Sequence, residues 1–169
     1  MHLEILSESP GMTIELGKNF SKILTGGDII IFSGELGGGK TTFISGLAGG
    51  LGVRENLSSP SFTILNQYQA GKLKLVHIDF YRLDGIDEFD NIGLDDHIYD
   101  SSSVICIEWG EKIQEYIKKD YLNICFNYII EDGDSINKRI ITFNSSNSYW
   151  DKKLAKLKKV LARVDIKYI

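Results

Sequence analysis

Ile29-Ile30-Ile31-Phe32-Ser33-Gly34-Glu35-Leu36-Gly37-Gly38-Gly39-Lys40-Thr41-Thr42 runs from an apolar, β-branched segment straight into a glycine-rich turn. Ile29–Phe32 reads as a buried strand. Gly34 to Thr41 satisfies G-x-x-x-x-G-K-[ST] at every fixed position. Lys40–Leu51 follows with Phe43, Ile44, Leu47 and Leu51 at helical spacing. Strand, glycine loop and helix in that order form the context that gives the pattern physical meaning. Glycines leave backbone N–H groups unshielded, so several can converge on phosphate oxygens. The helix that follows points its positive end at the same anion. Lys40 would reach the β- and γ-phosphates, the Thr41 hydroxyl would take a place on Mg²⁺, and Thr42 would meet the α-phosphate. At average residue usage the pattern arises by chance in on the order of one chain in a few hundred of this length. G-x-G-x-x-G is not matched across the loop, which argues against a dinucleotide fold. A nucleoside triphosphate is therefore the expected ligand, cradled by Gly34, Gly37, Gly38, Gly39, Lys40, Thr41 and Thr42.

Outward from the loop, strands alternate with helices. Thr13–Leu24 has helical spacing before the Gly26-Gly27-Asp28 break. Ser61–Gln69 and Lys72–Phe80 look like strands joined at Ala70-Gly71, and Asp84–Tyr99 like short helices interrupted at Gly93. Val104–Ile107 is another buried strand, and Glu111–Lys118 reads as a helix. Leu122–Glu131 and Lys138–Phe143 flank the turn residues Asp132-Gly133-Asp134 as a hairpin. Trp150–Val164 is an amphipathic helix on Trp150, Leu154, Leu157, Leu161 and Val164. Its other face carries Lys152, Lys153, Lys156, Lys158, Lys159 and Arg163. That face reads as solvated, with contact to tRNA or an acidic partner as the alternative. The expected architecture is an α/β, P-loop NTPase-like layered sheet over residues 1–169 as one domain. The sheet is parallel at its centre with added antiparallel strands, and helices lie on both faces.

Two acids end apolar strands: Asp79 after Leu75–Ile78 and Glu108 after Val104–Ile107. Ligands of open α/β sheets gather at those strand ends. A P-loop also needs a carboxylate for the metal and a group to orient the attacking water. Asp79, Glu108 and Lys40 are thus the candidate catalytic set, with Thr41 and Glu108 as metal ligands. Ser58-Ser59-Pro60-Ser61-Phe62-Thr63 is a hydroxyl-rich segment suited to a nucleotide switch, with Ser59, Ser61 and Thr63 as its candidate residues. A plain Ser/Pro turn is the alternative. His77 reads as a packed strand residue. Trp109 reads as a base-stacking, core or partner residue. Arg82 is either a finger for the phosphates or a strand-end ion pair.

The chain has 169 residues, 43% hydrophobic and 25% charged, with a net charge of -4. That balance fits one domain with its own core and argues against a wholesale nucleic-acid coat. Cys106 and Cys125 lie in apolar runs and read as buried strand fillers rather than a bridge. His2, His77 and His97 have no zinc spacing. No signal-peptide or membrane-span pattern is seen, so the cytosol is the expected compartment.

Four blocks together closely resemble the TsaE (YjeE) family, the ATPase subunit of the bacterial tRNA threonylcarbamoyladenosine machinery. They are Gly34–Thr42, Ser59-Pro60-Ser61-Phe62-Thr63-Ile64, His77-Ile78-Asp79-Phe80-Tyr81-Arg82-Leu83 and Glu108-Trp109. Thr13–Gly17 and Glu88–Leu94 follow the same order, while no motif covers the C-terminal third. Glu35, Gly38, Ser61 and Pro10-Gly11 depart from the residues usual in the family. The resemblance implies ATP hydrolysis with Mg²⁺, coupled to a complex that modifies adenosine beside the anticodon of tRNAs reading codons that begin with A. It implies docking on the transferase subunit and its inactive paralogue, with tRNA contacted indirectly. It implies Thr41 and Glu108 at the metal and Asp79 as the Walker B-like acid. A small-molecule kinase and a non-catalytic ATP switch remain open on the same loop.

Overall fold

Ile29, Ile30, Ile31 and Phe32 are all fully buried, so this strand must be covered on both faces. Ile30 and Phe32 enter one apolar cluster, while Ile29 and Ile31 enter the other. The computed structural model describes residues 1–83, 92–129, 138–164 and 166. Its strands are β1 (His2–Ser7), β2 (Ile29–Gly34), β3 (Leu65–Ala70), β4 (Leu73–Asp79), β5 (Ser103–Glu108), β6 (Leu122–Tyr128) and β7 (Arg139–Asn144). Its helices are α1 (Pro10–Phe20), α2 (Lys40–Leu51), α3 (Leu94–Ile98) and α4 (Ser148–Leu161).

Among the described residues the strands form a seven-stranded sheet, in the order β1-β7-β6-β2-β5-β4-β3. β6, β2, β5 and β4 are parallel neighbours, whereas β3, β7 and β1 join antiparallel. The fold class expected from the sequence is therefore the one observed. One face packs against α1, α2 and α4 through Leu16, Phe20, Phe43, Leu47, Trp150 and Leu154. The other face packs against α3 and the turns after β5 through Leu94, Ile98, Ile113 and Ile117. α1 and α2 touch backbone to backbone. A Cβ on Gly17 would strike the Phe43 carbonyl, and one on Gly46 would strike the Ile14 carbonyl. This contact presses α2, and with it the glycine loop, down onto the sheet.

Several element boundaries differ from the sequence reading. β1 was absent from it, although Leu3, Ile5 and Ser7 alternate inward and the strand pairs with β7. α1 starts earlier, at Pro10, because the Ser9 hydroxyl accepts from Met12 N and caps it. Glu111–Lys118 is no α-helix. Gly110–Lys112 forms a single 3₁₀ turn, and i→i+3 bonds continue from Ile113 to Tyr116. Lys112 instead stretches its ammonium to the carbonyls of Phe80, Tyr81 and Leu83. β3 begins only at Leu65, since Ile64 takes φ +67° and turns the chain. α4 begins two residues early, capped by the Asn147 side chain on Trp150 N. Cys106 is buried, but Cys125 is only half-buried, and both are free thiols. The hairpin turn at Asp132–Asp134 and the block Glu88–Asn91 lie outside the described residues. Among those described, no helix is long and apolar enough to cross a membrane.

Candidate functional site

The strand-to-helix turn folds as a phosphate loop does. Gly34, Gly37 and Gly39 take φ of 111°, 74° and 103°, values that favour glycine. Gly39 caps α2 in the left-handed conformation, and its carbonyl accepts the first helical bond from Phe43 N at 2.9 Å. Residues Leu36–Thr42 line a cavity of about 430 Å³ together with Ser59, Ser61, Phe62, Asp79, Tyr81, Arg82, Glu108 and Trp109. Gly34 lies at the base of the loop rather than on the cavity wall.

Lys40 is 4% exposed. Its ammonium donates to the carbonyls of Gly34 (2.6 Å) and Glu35 (2.9 Å) and sits 4.2 Å from the Trp109 ring centroid. Burial lowers its pKa from the ordinary lysine value, opposed by the carboxylates of Glu108, Glu111 and Asp79. Trp109 holds a left-handed backbone (φ 58°) directly after β5, where its N–H donates to the Phe32 carbonyl at 2.9 Å. Non-glycine residues hold that conformation only where surrounding packing enforces it. Its ring also stands 5.2 Å from that of Tyr81. Its place is thus a wall beside the lysine. Arg82 lies 4.1 Å over the exposed Phe62 ring.

The register of the central sheet sets the two acids side by side, with Asp79 opposite Glu108. Glu108 Oε1 accepts from the Thr41 hydroxyl at 2.8 Å and from His77 Nε2 at 2.8 Å. A carboxylate only accepts, so the proton belongs on Nε2. Nδ1 is then a buried acceptor without a partner among the described residues. Glu108 Oε2 has no hydrogen-bond partner among the described residues either, which leaves it available to a ligand. Asp79 is engaged differently. Its Oδ2 accepts from Ser61 Oγ (2.7 Å) and Ser59 Oγ (3.2 Å), and its Oδ1 accepts from Tyr81 N (2.9 Å). Glu108, on the strand beside β2, is therefore the acid next to Thr41, and Asp79 gathers the Ser59–Ser61 segment. Thr63 is not brought in. Its hydroxyl donates to Asn66 Oδ1 at 2.8 Å, away from the cavity.

Two buried carboxylates, Glu108 and Asp79 (3% and 4% exposed), stand on the wall of this cavity, where a divalent cation would sit between them and the phosphate oxygens. Among the described residues no cluster of three His, Cys, Asp or Glu side chains exists to cage a metal unaided. The Thr41 hydroxyl and the Glu108 carboxylate, 2.8 Å apart, are an all-oxygen donor pair of the kind that fits Mg²⁺, which takes one or two protein ligands besides phosphate and water oxygens.

The family model described as "Threonylcarbamoyl adenosine biosynthesis protein TsaE" matches residues 7–139. The chain belongs to the TsaE family. Among TsaE relatives, the "tRNA threonylcarbamoyladenosine biosynthesis protein TsaE" of Streptomyces coelicolor is 39% identical over 140 residues, covering 80% of this chain and 92% of that protein. Those of Treponema pallidum and Bacillus subtilis, with the same description, are each 35% identical. They cover 78% and 85% of this chain, and 96% and 85% of their own lengths. The crystal structure of YdiB from Bacillus subtilis superposes with a TM-score of 0.72 at 29% identity, over 94% of this chain and 95% of that one. The TsaE match ends at β7, so it takes in the strands that carry every site residue named above.

Three residues that touch the loop or its acids escaped the sequence reading. His77 was read as packing alone, yet it also directs Glu108. Tyr128 and Arg139 lie in the C-terminal third, where no motif marks them. The signal for His77 was its parity, since it shares a strand face with Asp79.

Proposed function

We propose that this chain binds ATP with magnesium and hydrolyses it in the service of threonylcarbamoyl modification of tRNA adenosine. Membership of the TsaE family supports the pathway, and the named relatives supply its terms. The observation that carries the nucleotide reading is the bond between Thr41 and Glu108 at the mouth of a glycine loop whose lysine is already buried.

The loop amides and the positive end of α2 would bind the phosphates. Lys40 would leave the Gly34 and Glu35 carbonyls for the β- and γ-phosphate oxygens, where its charge is of greatest use as the bond breaks. Thr41 Oγ1 and Glu108 would hold Mg²⁺, which when bound supplies neutralising charge to the phosphate oxygens. Glu108 Oε2 is the free acceptor suited to orienting the attacking water. Asp79 would order Ser59 and Ser61 around the γ-phosphate. Trp109 and Tyr81 would exclude bulk water from one side. Arg82, on the cavity wall, stands over the Phe62 ring, so turnover by the chain alone would be slow. Docking on the transferase subunit and its inactive paralogue would raise it.

Phosphate release and ATP binding, measured on the same variants, test this reading. Glu108→Gln should keep ATP binding and lose roughly 10²-fold or more in rate. Lys40→Ala should lose binding. Unchanged hydrolysis by a folded Glu108→Gln variant overturns the catalytic role. Reconstituted tRNA modification over many turnovers should require the chain and fail with Lys40→Ala. Full modification without it overturns the pathway role.

A further inference from the structure

The phosphate loop rests on a pair of side chains from the C-terminal strands. Tyr128 ends β6 and Arg139 opens β7, and the antiparallel register makes them direct cross-strand partners. Tyr128 Oη donates to the Leu36 carbonyl at 3.1 Å. The same oxygen would lie 3.0 Å from a Cβ placed on Gly37. Arg139 is 6% exposed. Its guanidinium carbon stands 5.8 Å from the Tyr128 ring centroid, within cation–π range. Its Nη1 would lie 2.8 Å from a Cβ on Gly39, and its Cδ 3.5 Å.

The pair therefore touches the loop at both of its interior left-handed turns, Gly37 through the tyrosine and Gly39 through the arginine. Gly39 immediately precedes Lys40 and caps α2, so its position sets where the ammonium and the first helical amides point. Neither Tyr128 nor Arg139 lines the cavity. They work from behind, and a ligand would meet only the loop they hold.

We propose that Tyr128 and Arg139 are positioning residues for the phosphate loop: a guanidinium within cation–π range of a phenol ring, set behind Gly37 and Gly39, keeps the loop in its phosphate-ready shape. Arginine suits this task because its flat, rigid fork keeps its charge near the aromatic ring while the side chain fills space beside a bare glycine. The inference rests on the nucleotide reading above, and its test is arranged so that the two fail separately.

The experiment compares wild type, Tyr128→Phe, Arg139→Lys and Arg139→Met by ATP titration, by KM and kcat for ATP hydrolysis, and by melting temperature. A loop left without its support binds phosphate less well while the reacting groups, once engaged, are unchanged. Arg139→Met should therefore raise KM and the dissociation constant about tenfold or more, with kcat changed far less. Arg139→Lys, which keeps a cation over the ring, should recover part of the loss. Tyr128→Phe keeps the ring and removes only the bond to Leu36, so it should fold as wild type does and weaken ATP binding a few-fold. If Tyr128→Phe and Arg139→Lys bind ATP as wild type does, or if every loss tracks a lowered melting temperature, the positioning role is overturned while the nucleotide reading stands. A wild-type chain that binds no ATP overturns both.

Discussion

Glu108 Oε1 receives two hydrogen bonds, from Thr41 and from His77, and this fixes the direction in which Oε2 points. Partners of this kind, one step behind a ligand, orient it and sharpen its basicity. His77→Leu removes the donor and leaves an apolar group of similar bulk against the carboxylate. It should lower the ATPase rate about 10–100-fold. His77→Gln keeps an amide N–H in reach of the same oxygen and should recover part of that loss. Steady-state phosphate release on both variants reads the difference, and a folded His77→Leu variant at the wild-type rate rules the role out. Lys40, Thr41, Asp79 and Glu108 were legible in the sequence because each is placed by something local, either a glycine spacing or the end of an apolar run. His77, Tyr128 and Arg139 were not. Their partners lie 31 residues away for His77 and 92 for Tyr128, and only the sheet register brings them together. Thr63 misled for the opposite reason. It sits in the right block, but its hydroxyl bonds Asn66, across the positive-φ turn at Ile64, instead of lining the cavity.

Helix α4 shows a similar limit at the scale of an element. Of its expected apolar face, Trp150, Leu154, Leu157 and Leu161 are fully buried, whereas Val164 lies past the helix end at Leu161 and is 40% exposed. Its basic face was read as one solvated surface, yet Lys153 leaves it. The Lys153 ammonium pairs with Asp28 and donates to Thr25 Oγ1 at 2.7 Å, while Tyr149 Oη donates to Asp28 Oδ1 at 2.7 Å. Asp28 is 1% exposed and Lys153 7%, so this is a buried ion pair tying α4 to the turn that feeds β2. Such a pair adds little over an apolar replacement of both partners, but removing one strands a charge. Lys153→Met should cost roughly 3–5 kcal/mol in urea denaturation. Adding Asp28→Asn should return part of it. A Lys153→Met protein as stable as wild type would mean that Asp28 finds water there after all. The six-residue β1 was missed because its alternation is short and its partner β7 is far along the chain. The helix after Glu108 was over-read because Ile113 and Ile117 keep a four-residue spacing in a segment that closes by 3₁₀ turns.

For the molecule as a whole, the alternation of strands and helices pointed to a layered α/β sheet, but the order β1-β7-β6-β2-β5-β4-β3 is set by long-range pairing that no local pattern encodes. That order puts β2, the loop strand, at the centre, with β6 and β7 propping the loop from one side and β5 and β4 supplying acids from the other. Ligand binding at such a junction reports on the entire fold, because the groups that meet there come from elements spread from β2 to β7. A ligand that binds only the folded state stabilises it by about 2.7 kcal/mol at a hundred times its dissociation constant. For a chain of this size that corresponds to a rise in melting temperature of roughly 5–10 °C. ATP with magnesium should produce that rise in wild type, and EDTA should remove most of it, since the carboxylates of Asp79 and Glu108 then face the phosphates without a metal ion between them. Thr41→Ala should keep the part of the shift seen without metal and lose the part that magnesium adds. A melting curve indifferent to ATP at saturating magnesium would contradict the central junction as a nucleotide seat, whatever the loop's geometry.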